Sequence, residues 1–110
     1  MRRHLERRVP VLRPDGGGGV VRGWEARGAF WAGIRASSAS LRVTELGADP
    51  ELRVRITVRT VPVGHPDRPA QGDRLVETGR VYEVEAVHEA DAAGRYLTCW
   101  AREIVGEGGT

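Results

Sequence analysis

A chain of 110 residues with 40% hydrophobic and 29% charged residues suits one soluble domain with one modest core. Its single cysteine excludes an intrachain disulfide and a cysteine-based zinc cluster, and no apolar run approaches the ~20 residues of a membrane span. The net charge of +2, from 17 basic residues (all arginine) against 15 acidic ones, lacks the one-sided basic excess of a dedicated nucleic-acid binder.

The N-terminal stretch MRRHLERRVP is basic, but no apolar segment follows it, so it is not a secretion signal and the protein is expected in the cytoplasm when made. A first strand is expected over Leu5 to Arg13, with Leu5, Val9 and Val11 on one parity and Arg7 breaking it. Pro10 cannot donate to a ladder, which marks an edge or bulged strand. Asp15 and the glycines 16–19 then form a flexible turn. They are not a phosphate cradle, because no Gly-Lys-Ser/Thr follows and Val20-Val21-Arg22 opens a strand instead.

A second strand is expected over Val20 to Ala26 and a third over Phe30 to Ala36, with Trp24 and Trp31 large enough to anchor a small core or an interface. Ser37 to Pro50 (SSASLRVTELGADP) reads as a long loop, with at most a helical turn over Ser40 to Leu46. Loops beyond ~12 residues in compact domains are usually functional or disordered. Leu52 to Val61 is the cleanest strand: Leu52, Val54, Ile56 and Val58 alternate with Arg53, Arg55, Thr57 and Arg59. The arginine face contacts DNA phosphates or a partner's carboxylates, or else pairs across the sheet with Glu83, Glu85 or Glu103.

Pro62 to Gly72 is a second long loop, stiffened by Pro62, Pro66 and Pro69. Three strands close the chain: Arg74 to Val76, Val81 to Val87 and Tyr96 to Ile104. Turns containing Gly79 and Gly94 join them, and residues 105–110 are expected to fray. The whole is all-β, a small antiparallel barrel or sandwich of six to seven short strands forming a single domain over 1–110.

Little in this pattern carries chemistry. His4, His65 and His88 lack the spacing of a metal site, Cys99 is in phase with inward-pointing Leu97 and Ala101, and Ser37, Ser38 and Ser40 have no base beside them. No catalytic constellation, metal or cofactor is expected.

Several segments in series resemble the phage head-tail adaptor family, the head-closure or stopper proteins of siphophages and gene transfer agents. They are Arg8-Val9-Pro10-Val11-Leu12-Arg13-Pro14, then Asp15-Gly16 before Val20 to Trp24, then Phe30-Trp31-Ala32-Gly33-Ile34. Val54 to Arg59, Gly79 to Val84 and Leu97-Thr98-Cys99 complete the series. The chain departs from the family pattern where Leu52 or Arg53 replaces a histidine that often opens the middle strand, and where Pro10 interrupts the first strand. The resemblance implies a homo-oligomeric ring, six-fold to match the tail or twelve-fold, between a portal-side adaptor and a tail terminator or tail-tube protein. Such a ring is assembled in the bacterial cytoplasm into a virion or phage-like particle, retains the packaged double-stranded DNA that later passes through its lumen, and docks the tail. It also implies a gate in the loop after the early strands, here Ser37, Ser38, Ser40, Leu41, Arg42, Glu45 and Asp49. Subunit or partner contacts are expected from Arg53, Arg55, Arg59, Trp24 and Trp31. The competing reading is a small single-stranded nucleic-acid-binding barrel, which needs aromatics exposed on a basic groove.

Overall fold

The computed structural model describes residues 2–104, and their side chains except at positions 40, 42, 44, 49 and 50. The tail expected to fray, 105–110, lies outside the described residues. Six antiparallel strands make up the described chain: β1 Arg3–Pro14, β2 Val20–Thr44, β3 Gly47–Arg59, β4 Arg74–Glu77, β5 Arg80–Glu89 and β6 Tyr96–Glu103. They close in a ring in the order β1-β2-β3-β6-β5-β4. The ring is uneven, because β1 meets β4 through only three residue pairs, Glu6–Val76, Arg7–Leu75 and Arg8–Arg74.

Inside the ring, the inward residues of every strand meet: Leu5, Ala32, Val54, Ile56, Val58, Leu75, Tyr82, Val84, Leu97, Cys99 and Ala101. The apolar parity of Val54, Ile56 and Val58 in the sequence is the parity that is buried. The turns at Thr78-Gly79 and Asp91–Gly94 are those marked by the sequence. Gly79 takes φ 75 and Gly94 φ 68, and the Asp91 carboxylate accepts from the Arg95 amide at 2.9 Å. Cys99 lies wholly within the core, where burial pushes its thiol up to about 12.

Two expectations about strands need correction. The separate strands over Val20 to Ala26 and Phe30 to Ala36 are one strand, β2, of 25 residues. At a rise of ~3.3 Å per residue a straight strand of this length would span roughly 80 Å, whereas the longest dimension of the molecule is 48 Å. Bulges let β2 turn. Arg27 and Gly28 together oppose Arg7, and Gly28 adopts φ 84, a left-handed conformation that glycine takes without a Cβ clash. A second shift falls at Ser37, whose hydroxyl donates to the Arg53 carbonyl at 3.1 Å.

The stretch Ser37 to Pro50, expected as a long loop, is a β-hairpin whose two-residue tip is Glu45-Leu46. Its alternation is weak along the chain because serine, alanine and proline are poor strand formers. The pattern becomes apolar only across the hairpin, where Ala39, Leu41 and Val43 stand opposite Leu52, Pro50 and Ala48. The second expected loop, between β3 and β4, is irregular in the structure and packs against the barrel, with Pro69 fully buried.

Candidate assembly surface

Strand pairing divides the molecule into a barrel and two arms. The β1–β4 ladder stops at Arg8 and the β3–β6 ladder begins at Arg53. Beyond those points the ladders leave only two-stranded hairpins. The first arm pairs Val9–Pro14 with Val20–Glu25, and the second pairs Ser38–Thr44 with Gly47–Arg53. Two-stranded hairpins are marginal in water by themselves. Both arms nevertheless expose large apolar side chains: Leu12, Val20 and Val21 on the first, Leu41 at 68%, Val43 at 81% and Leu46 at 100% on the second. Six of the eight large hydrophobic residues exposed among the described residues lie on these arms, with Trp31 and Val63 the other two. Concentrated apolar exposure of this kind marks an interaction surface.

The tip of the first arm is held by its own aspartate. Asp15 accepts from the Gly17 amide at 2.8 Å and the Gly19 amide at 3.0 Å, which holds its carboxyl below the usual carboxylate range. A Cβ at Gly19 would lie 2.7 Å from the Asp15 carboxylate, so this approach needs glycine. Two of the amides that a phosphate would use are therefore already taken.

The residues expected at a gate fall on the second arm. Ser37 is the bulged residue at its base, Ser38 and Leu41 are exposed, and Glu45 is exposed at the tip. Ser40, Arg42 and Asp49 lie in the paired strands, and their side chains are outside those described. The residues expected at contacts divide differently. Arg53 is engaged inside the molecule, 3.1 Å from Glu51 and 3.0 Å from Glu85, which answers the cross-sheet alternative for this residue. Arg55 lies over Trp100 at 5.6 Å and stands directly opposite Arg35, a like-charged pair. Arg59 is exposed on the rim of a cleft of about 620 Å³ that Phe30, Trp31, Val58 and Tyr96 also line.

Neither expected tryptophan belongs to the core. Trp24 lies beneath Arg22 at 5.1 Å and Arg74 at 4.2 Å, and Trp31 is exposed beside His4. Trp100, on the outer wall, donates its indole N–H to His88 at 2.7 Å. With Trp24 and Trp100 both covered by arginines, these two offer no open stacking platform for single-stranded nucleic acid.

Sequence reasoning missed the contacts that fasten the barrel. Arg7 and Asp73 form a salt bridge at 2.7 Å with side-chain exposures of only 7% and 6%. Arg7 also donates to the Pro66 carbonyl, and the Ala70 amide donates to Asp73. The pair ties the β3–β4 connection to β1. The signal was present in Arg7, which breaks the apolar parity of β1 and so sits on its inner face. Arg3 and Glu77 form a second clasp between β1 and β4, joined by the Tyr82 hydroxyl at 3.3 Å from Glu77. Burial pushes the Tyr82 phenol up. Among the described residues, no group of histidine, cysteine and acidic side chains could hold a metal ion.

Comparison with known proteins places the chain in a family. Residues 1–104 match the family model described as phage head completion protein. Among solved structures, a chain from the virion of a native gene transfer agent particle is similar over 96% of both chains, with a TM-score of 0.82 and 38% sequence identity. No curated protein matches the chain.

Proposed function

The chain belongs to the phage head completion protein family, whose members are structural and not enzymes, and from that premise we propose that it forms a head-tail connector ring of a gene transfer agent or related particle. In this reading the ring sits between the portal-side adaptor and the tail terminator or tail-tube protein. It is six-fold to match the tail, with twelve-fold the alternative. It holds packaged double-stranded DNA in the head and gives the tail a surface on which to dock. The similarity to a virion component of a gene transfer agent supports the setting.

The observation that carries the proposal is the pair of hairpin arms. A self-sufficient monomer has no use for two-stranded extensions bearing exposed leucine and valine. A ring subunit needs two unlike surfaces that fit its neighbours on either side, because contacts in a ring are heterologous. The barrel supplies a rigid body, and the arms supply reach. The second arm, which contains Ser37 to Pro50, is the proposed gate. In this reading the arm points into the lumen, and the exposed Glu45 carboxylate at its tip repels DNA phosphates during passage.

Replacing residues 39–51 by a short Asn-Gly turn tests the gate. The expected outcome is a folded barrel, seen by circular dichroism and a cooperative unfolding transition, together with filled heads that carry the variant by immunoblot and still lose DNA. Full DNA retention by such particles would remove the gate assignment. Imaging of intact particles tests the ring itself: density for this chain anywhere but a ring at the head-tail neck would overturn the proposal.

A further inference from the structure

The pairing pattern of β2 leaves two open edges on opposite sides of one strand. From Val20 to Trp31, β2 is paired with β1 on one side, and no β3 residue pairs on the other. From Gly33 to Thr44 it is paired with β3, and β1 is absent. The two edges change sides at Ala32, which pairs with both Arg3 and Val58. Bulges at Arg27-Gly28 and Ser37 interrupt these edges and leave two regular runs, 20–26 and 38–44, of equal length.

The outer strand of each arm is blocked where β2 is not. A proline in a paired strand turns its missing N–H away from its partner. Pro10 and Pro14 share a parity on β1, so both remove donors from the outer edge of the first arm. Pro50 does the same for β3 on the second arm. No proline occurs in β2. The pairing also identifies which β2 donors face outward. Residues opposite these prolines occupy non-hydrogen-bonded pairs, so their own N–H groups point to the open side. These are Val20 and Trp24, opposite Pro14 and Pro10, and Leu41, opposite Pro50. Two residues along, Arg22 and Val43 share that direction. Exposed Val20, Val21, Leu41 and Val43 flank the same two runs.

We infer that neighbouring copies join by strand addition through β2, with run 20–26 of one copy lying beside run 38–44 of the next. The inference rests on the ring reading above and specifies its contact. Prolines on the outer strands prevent the wrong edges from pairing, and the open edges of β2 supply main-chain hydrogen bonds. The two runs differ and face opposite sides, so each copy can serve as donor to one neighbour and acceptor to the other, which closes a ring.

Proline substitutions and engineered cysteines test it in assembled particles. Val20→Pro and Val43→Pro each remove an outward donor without touching the hairpin ladder. Both should leave monomer unfolding nearly unchanged and lower incorporation into particles about tenfold or more. Leu12→Pro, on the edge that Pro10 and Pro14 already block, is the matched control and should incorporate normally. Wild-type incorporation of Val20→Pro and Val43→Pro would overturn the inference, as would an equal loss in Leu12→Pro. Since Cys99 is buried, introduced thiols report cleanly. The Val21→Cys/Val43→Cys double variant should give an intermolecular disulfide ladder on oxidation, and each single variant should give none. A dimer from either single variant would mean like edges pair, and would overturn it. Whether the wild-type chain forms a neck ring is read separately by imaging, so failure of strand addition and failure of the ring role are distinguishable.

Discussion

The barrel and the arms are built from the same kind of strand and obey different rules. In the barrel, each strand has two neighbours and one buried face, and the apolar side chains of that face are almost completely removed from water. In the arms, each strand has one neighbour, and leucine and valine side chains stand in solvent. The barrel is therefore complete as it stands, whereas the arms leave apolar side chains and strand edges uncovered. The polar contacts follow the same division. Those that fasten the body, Arg7–Asp73 and Arg3–Glu77, tie β1 and the β3–β4 connection into the ring of strands, while the first arm's tip is held only by the local Asp15 turn.

This contrast predicts a graded set of effects. The largest should come from Asp73→Ala, which leaves the Arg7 guanidinium buried without its carboxylate and should cost about 3–5 kcal/mol in chemical denaturation. A loss below about 1 kcal/mol would mean that the pair is not the fastening it resembles. Leu97→Ala should follow, at about 2–5 kcal/mol, because it opens a cavity in the closed core. On the arms, Val43→Ser and Leu46→Ser should shift the unfolding free energy of the isolated protein by no more than about 0.5 kcal/mol. Both should still reduce the yield of completed heads. A large loss of monomer stability in either variant would erase the distinction between barrel and arm.

Two smaller effects concern protons. The Cys99 thiol, pushed up to about 12 by burial, should resist thiol reagents at pH 8 in the folded protein and react at once after denaturation. The folded state holds this proton more tightly than the unfolded state. Its contribution to stability is therefore fully present below the ordinary thiol range and is lost as pH rises from that range toward 12. The smallest effect belongs to Asp15, whose carboxyl is lowered by the Gly17 and Gly19 amides. Its contribution is present above the ordinary carboxylate range and fades as pH falls through the lowered value. An NMR titration of those two amides should show a midpoint below that of a free aspartate, and an ordinary midpoint would mean the tip is open.

Much of the barrel was legible along the chain. The alternation of Leu52 to Val58 and the glycine turns before Arg80 and Arg95 each report a local choice between buried and exposed, or between one backbone conformation and another. The inward phase of Cys99 was legible for the same reason. Arg7 was visible as an exception to its strand's parity, but its partner Asp73 lies 66 residues away, a distance no local pattern spans. The second arm was not legible because its apolar character is divided between two strands: Ala39, Leu41 and Val43 on one, Ala48, Pro50 and Leu52 on the other. Each half alone is short and interrupted by serine or proline, and only the hairpin register adds them together. Trp24 and Trp31 stood out as large aromatics, but whether they faced the core or the surface depends on where the long β2 strand bends.

The sequence by itself determined that the protein is all-β and antiparallel, which parity of β3 and β6 faces the core and, through the order of its motifs, the family to which it belongs. Period-two alternation and glycine turns are local consequences of backbone geometry, so they can be read without a partner strand. Only the tertiary structure decided that β2 is a single bent strand, that Ser37 to Pro50 is a hairpin, and that two open edges remain on opposite sides of the same strand. Those features depend on which residues stand opposite one another, and hydrogen-bond pairing across a sheet is fixed by contacts between segments far apart in the chain.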